Sequence, residues 1–203
     1  MARSPITDLP ADYVEVQHLV LTEPRLLFRL NLLGLIPLIL AVVAMGVYGS
    51  WIAPLRPSIP PERAPLPDVL MIVLVIVITL PLHELIHGLA ITYVGHKPTY
   101  GMKLDKGVLY ATADQALFRR DEYLKVALAP LVVITLAALL LLWIVPNGLV
   151  YWLSLAVVLN AGGAIGDLWA VGVVLRHPRS VLVRDEADGF RVFGREAEHK
   201  QGA

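Results

Sequence analysis

The chain has 203 residues, 57% of them hydrophobic and only 17% charged, whereas a soluble domain of this size carries roughly a quarter charged residues. Seventeen basic and seventeen acidic side chains cancel, so there is no general case for nucleic acid as a partner. Cysteine is absent, which excludes disulfides, thiolate metal sites and cysteine nucleophiles; any metal must be held by His, Asp or Glu.

The sequence predicts a mainly α protein, a polytopic membrane bundle of four transmembrane helices with a small cytoplasmic-side β-hairpin between helices two and three. Residues 1–29 form a cytoplasmic N-terminal segment with no signal-peptide pattern, 30–175 the transmembrane core, and 176–203 a cytoplasmic tail. An alternating piece, Tyr13 to Leu21, reads as a strand or an interfacial segment. Arg25 and Arg29 flank the first long apolar run, about Leu30 to Ile52, with Tyr48 and Trp51 at the level of an aromatic belt. Pro54, Pro57, Pro60, Pro61, Pro65 and Pro67 then forbid a helix and mark an external loop.

The second apolar run, Val69 to Val94, contains Pro81-Leu82-His83-Glu84-Leu85-Ile86-His87-Gly88. Ionisable groups at membrane depth are costly and mark functional sites. His83 and His87 stand at i and i+4, so on a helix both rings leave one face, one turn apart, as a zinc-chelating pair. Glu84 beside them is placed to take a proton from water activated by the metal. Pro81 should kink this helix just before His83. Next, Tyr100–Leu104 and Val108–Thr112 flank the turn signal Asp105-Lys106-Gly107, a β-hairpin. Its edge is expected to hold an unwound substrate as an added strand. Phe118–Asp121 link it to helix three, about Tyr123 to Val145, with Pro130 inside. Pro146-Asn147-Gly148 turns the chain into helix four, about Leu149 to Leu175, which carries Asn160-Ala161-Gly162-Gly163-Ala164-Ile165-Gly166-Asp167. In the tail, Ser180–Arg184 and Phe190–Phe193 can pair as a small hairpin.

Lys and Arg concentrate on one set of segments: Arg3, Arg25 and Arg29; Lys97, Lys103, Lys106, Arg119 and Arg120; and six more in the tail. The other side has only Arg56 and Arg63, so the positive-inside rule places both termini and the hairpin in the cytoplasm. Integral membrane localisation follows as the expectation.

A catalytic zinc site needs three protein ligands and an open position. His18, His96, His177 and His199 fall in loops or tails, and Asp167 is the only acid inside helix four. His87 lies eight residues before Gly95 and Asp167 eight before Leu175, at the cytoplasmic ends of parallel helices; at about 1.5 Å per residue both sit about 12 Å deep. Gly162, Gly163 and Gly166 let helix four approach closely or turn Asp167 toward the metal. Asn160, nearly two turns earlier, is placed to donate to a peptide carbonyl or a developing oxyanion.

With these residues in place, the chain resembles the intramembrane site-2 metalloproteases, and especially their small prokaryotic zincin-peptidase branch. The resemblance rests on His83-Glu84-Leu85-Ile86-His87-Gly88, the following hairpin, the helix opening Tyr123–Pro130, and the Asn160-to-Asp167 stretch. Larger family members have Asn-x-x-Pro and Asp-Gly near the third ligand, where this chain has Gly162-Gly163 and Leu168. The resemblance implies Zn2+ on His83, His87 and Asp167, Glu84 as base, and membrane-spanning or membrane-adjacent peptide substrates. The rival reading is a non-catalytic metal-binding or substrate-binding membrane scaffold or transporter.

Overall fold

The computed structural model describes residue 6 and residues 8–56, 67–103, 108–113 and 115–199. Pro57, Pro60, Pro61, Arg63 and Pro65 of the expected loop, the Asp105-Lys106-Gly107 turn, Arg3 and Lys200 lie outside these residues.

Strand β1 (Tyr13–Val20) leads into helices α1 (Pro24–Leu33) and α2 (Leu35–Ile52). The helical run begins six residues before Leu30, because proline at the first helical position costs no hydrogen bond and presets φ. Helix α3 (Asp68–Tyr93) is continuous through Pro81. Its end is specified locally. Gly95 takes φ 97°, its N–H bonds Thr92 O at 3.0 Å, and His96 N–H reaches Ile91 O at 3.1 Å. This left-handed glycine cap satisfies the last carbonyls of the helix.

The hairpin is present as strands β2 (Thr99–Lys103) and β3 (Val108–Thr112), with Thr99 opposite Thr112 and Lys103 opposite Val108. The link to the next helix is itself a strand, β4 (Leu117–Arg119). Helix α4 (Arg120–Leu141) opens with Glu122 accepting the Arg119 N–H at 3.0 Å. It stops four residues short of Val145; Pro146 disfavours helical backbone before it, and Arg56 donates to the Val145 carbonyl. The fourth apolar run is broken: α5 (Asn147–Gly163) and α6 (Ile165–Val174) meet at a 42° bend. Strands β5 (Leu182–Glu186) and β6 (Gly189–Arg195) follow. Three helical stretches are long and apolar enough to cross a membrane, four if α5 and α6 form one span. This is consistent with an integral membrane protein.

By internal packing the chain divides into two compact units. The first comprises Met1–Leu30, Glu84–Ala129 and Gly166–Ala203. It holds an antiparallel sheet in the order β1-β6-β5-β4, so the N-terminal strand pairs with the tail. Alternation decides the faces. Val183, Phe190 and Val192 pack with Ile91, Val126, Val171 and Val174 of the helices, while Leu182 and Phe193 turn to the other face with Leu117 and Tyr13. The second unit comprises Asn31–His83 and Pro130–Ile165, and Met45, Ile52, Ala138, Leu142 and Val157 form its core. There Gly162 serves close approach, since a Cβ on it would stand 3.1 Å from Leu38, whereas Gly163 faces open space. Tyr48 joins the same packing, donating to Leu139 O at 3.0 Å and accepting from Trp143 Nε1 at 2.7 Å.

Candidate metal centre

Helix α3 presents His83 and His87 one turn apart, 9% and 8% exposed. An imidazole offers a metal one nitrogen, and the bond made by the other nitrogen fixes which. Here both Nδ1 atoms are engaged. His83 Nδ1 lies 2.9 Å from Asn160 Oδ1, whose Nδ2 in turn donates to Pro130 O at 3.3 Å. His87 Nδ1 lies 2.9 Å from Val126 O. That carbonyl is available for a covalent reason. Its helical partner would be the amide hydrogen of residue 130, and Pro130 has none. With Nδ1 of each ring so engaged, Nε2 is the nitrogen that would take a metal.

Asp167 stands in the first turn of α6, just after the break at Ala164. Its Oδ1 is 3.4 Å from His87 Nε2. One ligand atom from each of His83, His87 and Asp167 lies within 4.8 Å of the others. Zinc bonds of about 2.0–2.1 Å imply a tetrahedral edge of about 3.4 Å, which the His87–Asp167 separation matches, and two imidazoles with a carboxylate are a donor set that suits zinc. Glu84 is half-buried beside this pair. Next on the helix, Gly88 is a requirement: a Cβ there would collide with the hydroxyl of Tyr100, which brings β2 against α3.

The sequence reading placed His83, Glu84 and His87 on one helix and Asp167 at their depth, and the structure brings His87 and Asp167 into contact. It also adds two features. The Val126 carbonyl was discoverable from Pro130, four residues on. Asp185 was not, since an acid in a polar tail reads as solvated. In the structure, Thr112 Oγ1 donates to the Asp185 carbonyl at 3.2 Å and the Tyr123 hydroxyl bonds its carboxyl. Burial pushes the Asp185 carboxyl up to about 7, with the Asp167 and Glu84 charges adding to the rise and Thr112 and His87 opposing it. The remaining histidines are elsewhere. His96 stacks on Phe118 at 4.7 Å, His177 bonds Gln17, and His18 lies 3.7 Å from Glu186.

The protein is mainly helical, with apolar helices of membrane-spanning length and a cluster of two imidazoles and a carboxylate that could hold a metal. Residues 76–182, just over half the chain, match the family model described as "Putative zincin peptidase". The chain belongs to that family of zinc peptidases. No curated protein and no solved structure matches it.

Proposed function

We propose that this protein is an intramembrane zinc metalloprotease of the site-2 type, hydrolysing peptide bonds of membrane-spanning or membrane-adjacent substrates. The observation that carries the reading is the cluster formed by Asp167 of α6 with His83 and His87 of α3, a helix of membrane-spanning length. Zinc, when bound, supplies Lewis acidity that brings water toward neutral pKa. Glu84 would serve as the base, taking a proton from the attacking water and returning one to the leaving amine. His83 and His87 are held in one tautomer by Asn160 and the Val126 carbonyl. Asn160 orients His83 through Oδ1, and its Nδ2 carries a second N–H besides the one donated to Pro130 O, the donor that would serve the oxyanion. The β2–β3 hairpin holds an unwound substrate as an added strand. Prolines at alternate positions of β2 should cut cleavage and spare zinc, and unchanged turnover would remove that idea.

The sheet supports four crossings. Strands β1, β4, β5 and β6 pair within one sheet, and a bilayer cannot pass through it. An even number of spans must therefore separate β1 from β4, and β4 from β5. That makes α5 with α6 one bent span, and the positive-inside rule assigns the sheet and both termini to the cytoplasm.

The test is metal content and turnover on the same detergent-purified samples. Wild type should hold zinc near one per chain, and Asp167→Ala should lose most of it. Glu84→Gln should keep zinc and lose about 10²–10⁴-fold in turnover. Zinc-free wild type after zinc is added back would overturn the reading. A Glu84→Gln variant as active as wild type would favour the non-catalytic binder.

A further inference from the structure

A second cavity, of about 720 Å³, opens in the first unit and includes none of His83, Glu84, His87 or Asp167. Its size is that of a small-molecule site. Part of its lining is apolar and closed: Val94, Val181 and Leu182 are 8%, 1% and 4% exposed. Its charged lining is unbalanced, with four cations, Arg119, Lys125, Arg179 and Arg195, against the two acids Asp121 and Glu122. Two of the cations are committed. Arg119 pairs with Glu122 at 2.9 Å, and Arg195 lies 3.9 Å from Asp12 and over the Tyr13 ring. Lys125 and Arg179 are exposed, and no ion pair is found for either among the described residues.

Position supplies the second argument. The cavity is walled by Tyr93, the last residue of α3, and by the first turns of α4. On the reading that these helices cross a membrane, the cavity lies at the headgroup level, where Tyr93, 79% exposed, has the character of an interfacial anchor.

We infer that this cavity binds a phosphate ester, with Lys125 and Arg179 on the phosphate. A lysine and an arginine lining one cavity of net positive charge is the chemistry that takes up phosphate oxygens. Depth points to an anionic phospholipid as the source; a soluble phosphate ester presents the same group.

The experiment uses the full chain in mild detergent, with lipid retention read by native mass spectrometry. The probes are phosphatidylglycerol, the neutral diacylglycerol of the same chains, and glycerol 3-phosphate as a soluble competitor. Phosphatidylglycerol should be retained and the diacylglycerol not. Lys125→Ala/Arg179→Ala should weaken retention about 30-fold, the effect expected of two charges near a membrane surface. Arg25→Ala/Lys97→Ala, which removes two cations outside the cavity, should change it less than 3-fold. Displacement by glycerol 3-phosphate would assign the ligand to soluble esters, and failure to displace assigns it to the lipid. Equal retention by the cavity variant and wild type, or equal loss in the control pair, would overturn the site. Zinc is measured on the same samples, so failure of the metal centre and failure of this cavity are separable.

Discussion

An imidazole ligand is only as well defined as the bond on its far nitrogen, and at this site those bonds come from an amide and a main-chain carbonyl rather than from carboxylates. Asn160→Ala leaves His83 free to rotate and exchange tautomers, and should weaken zinc binding about 10–100-fold in a chelator competition. Unaltered affinity would show that helix geometry alone orients the ring. Asp185 makes a separate prediction for the zinc-free protein. Its folded pKa, about 7, is above the usual carboxyl value of 3.8, so between those values the fold holds a proton that the unfolded chain releases. Stability attributable to this residue should therefore fall as pH rises from about 4 to about 7, by at most about 1.4 kcal/mol per pH unit. Melting curves of chelator-treated wild type should show this slope and those of Asp185→Asn should lack it. Parallel curves would show that Asp185 ionises alike in both states.

Among the elements, α4 is built around a defect. Proline inside a helix costs about 3 kcal/mol relative to alanine, yet Pro130 is fully buried in the middle of one and the carbonyl it strands at Val126 holds His87. Pro130→Ala should restore the helical bond to that carbonyl, make it a shared acceptor and weaken zinc binding about 10-fold while raising the melting temperature. Opposite signs for affinity and stability are the signature, and a variant that loses both would instead be a packing defect. The α5–α6 break works in the same direction. It starts a new helix at Ile165 and sets Asp167 in its first turn, where the dipole favours a carboxylate.

For the whole molecule, on the proposed reading that these helices cross a membrane, the sheet is the strongest constraint on topology, because it would tie residues near 13, 118, 184 and 191 to one side of a bilayer. The cysteine-free chain makes this testable without background. Single cysteines at Asp12, Lys97 and Ala187 should react with a membrane-impermeant maleimide from the cytoplasmic side only, and one at Gly148 only from the opposite side. Labelling of Asp12→Cys and Ala187→Cys from different sides would refute the four-span arrangement.

Composition and periodicity by themselves determined the mainly helical character, the apolar runs and the hairpin, because hydropathy and turn chemistry act over a few residues. They also determined the histidine pair, since a helix fixes i and i+4 in space, and brought Asp167 to the same depth by counting rise per residue. Helix ends were less legible. Pro24 and the residues before Pro146 shift them by several positions through backbone restrictions that hydropathy does not register. What only the tertiary structure decided is the set of partners distant in sequence: β1 against β6, Asn160 on His83, Val126 on His87, and Asp185 buried near Asp167 and Glu84. The physical reason is that an unpaired polar atom in a strand or helix states only that it needs a partner. Which of the many compatible groups supplies it depends on how the helices and the sheet come together in space.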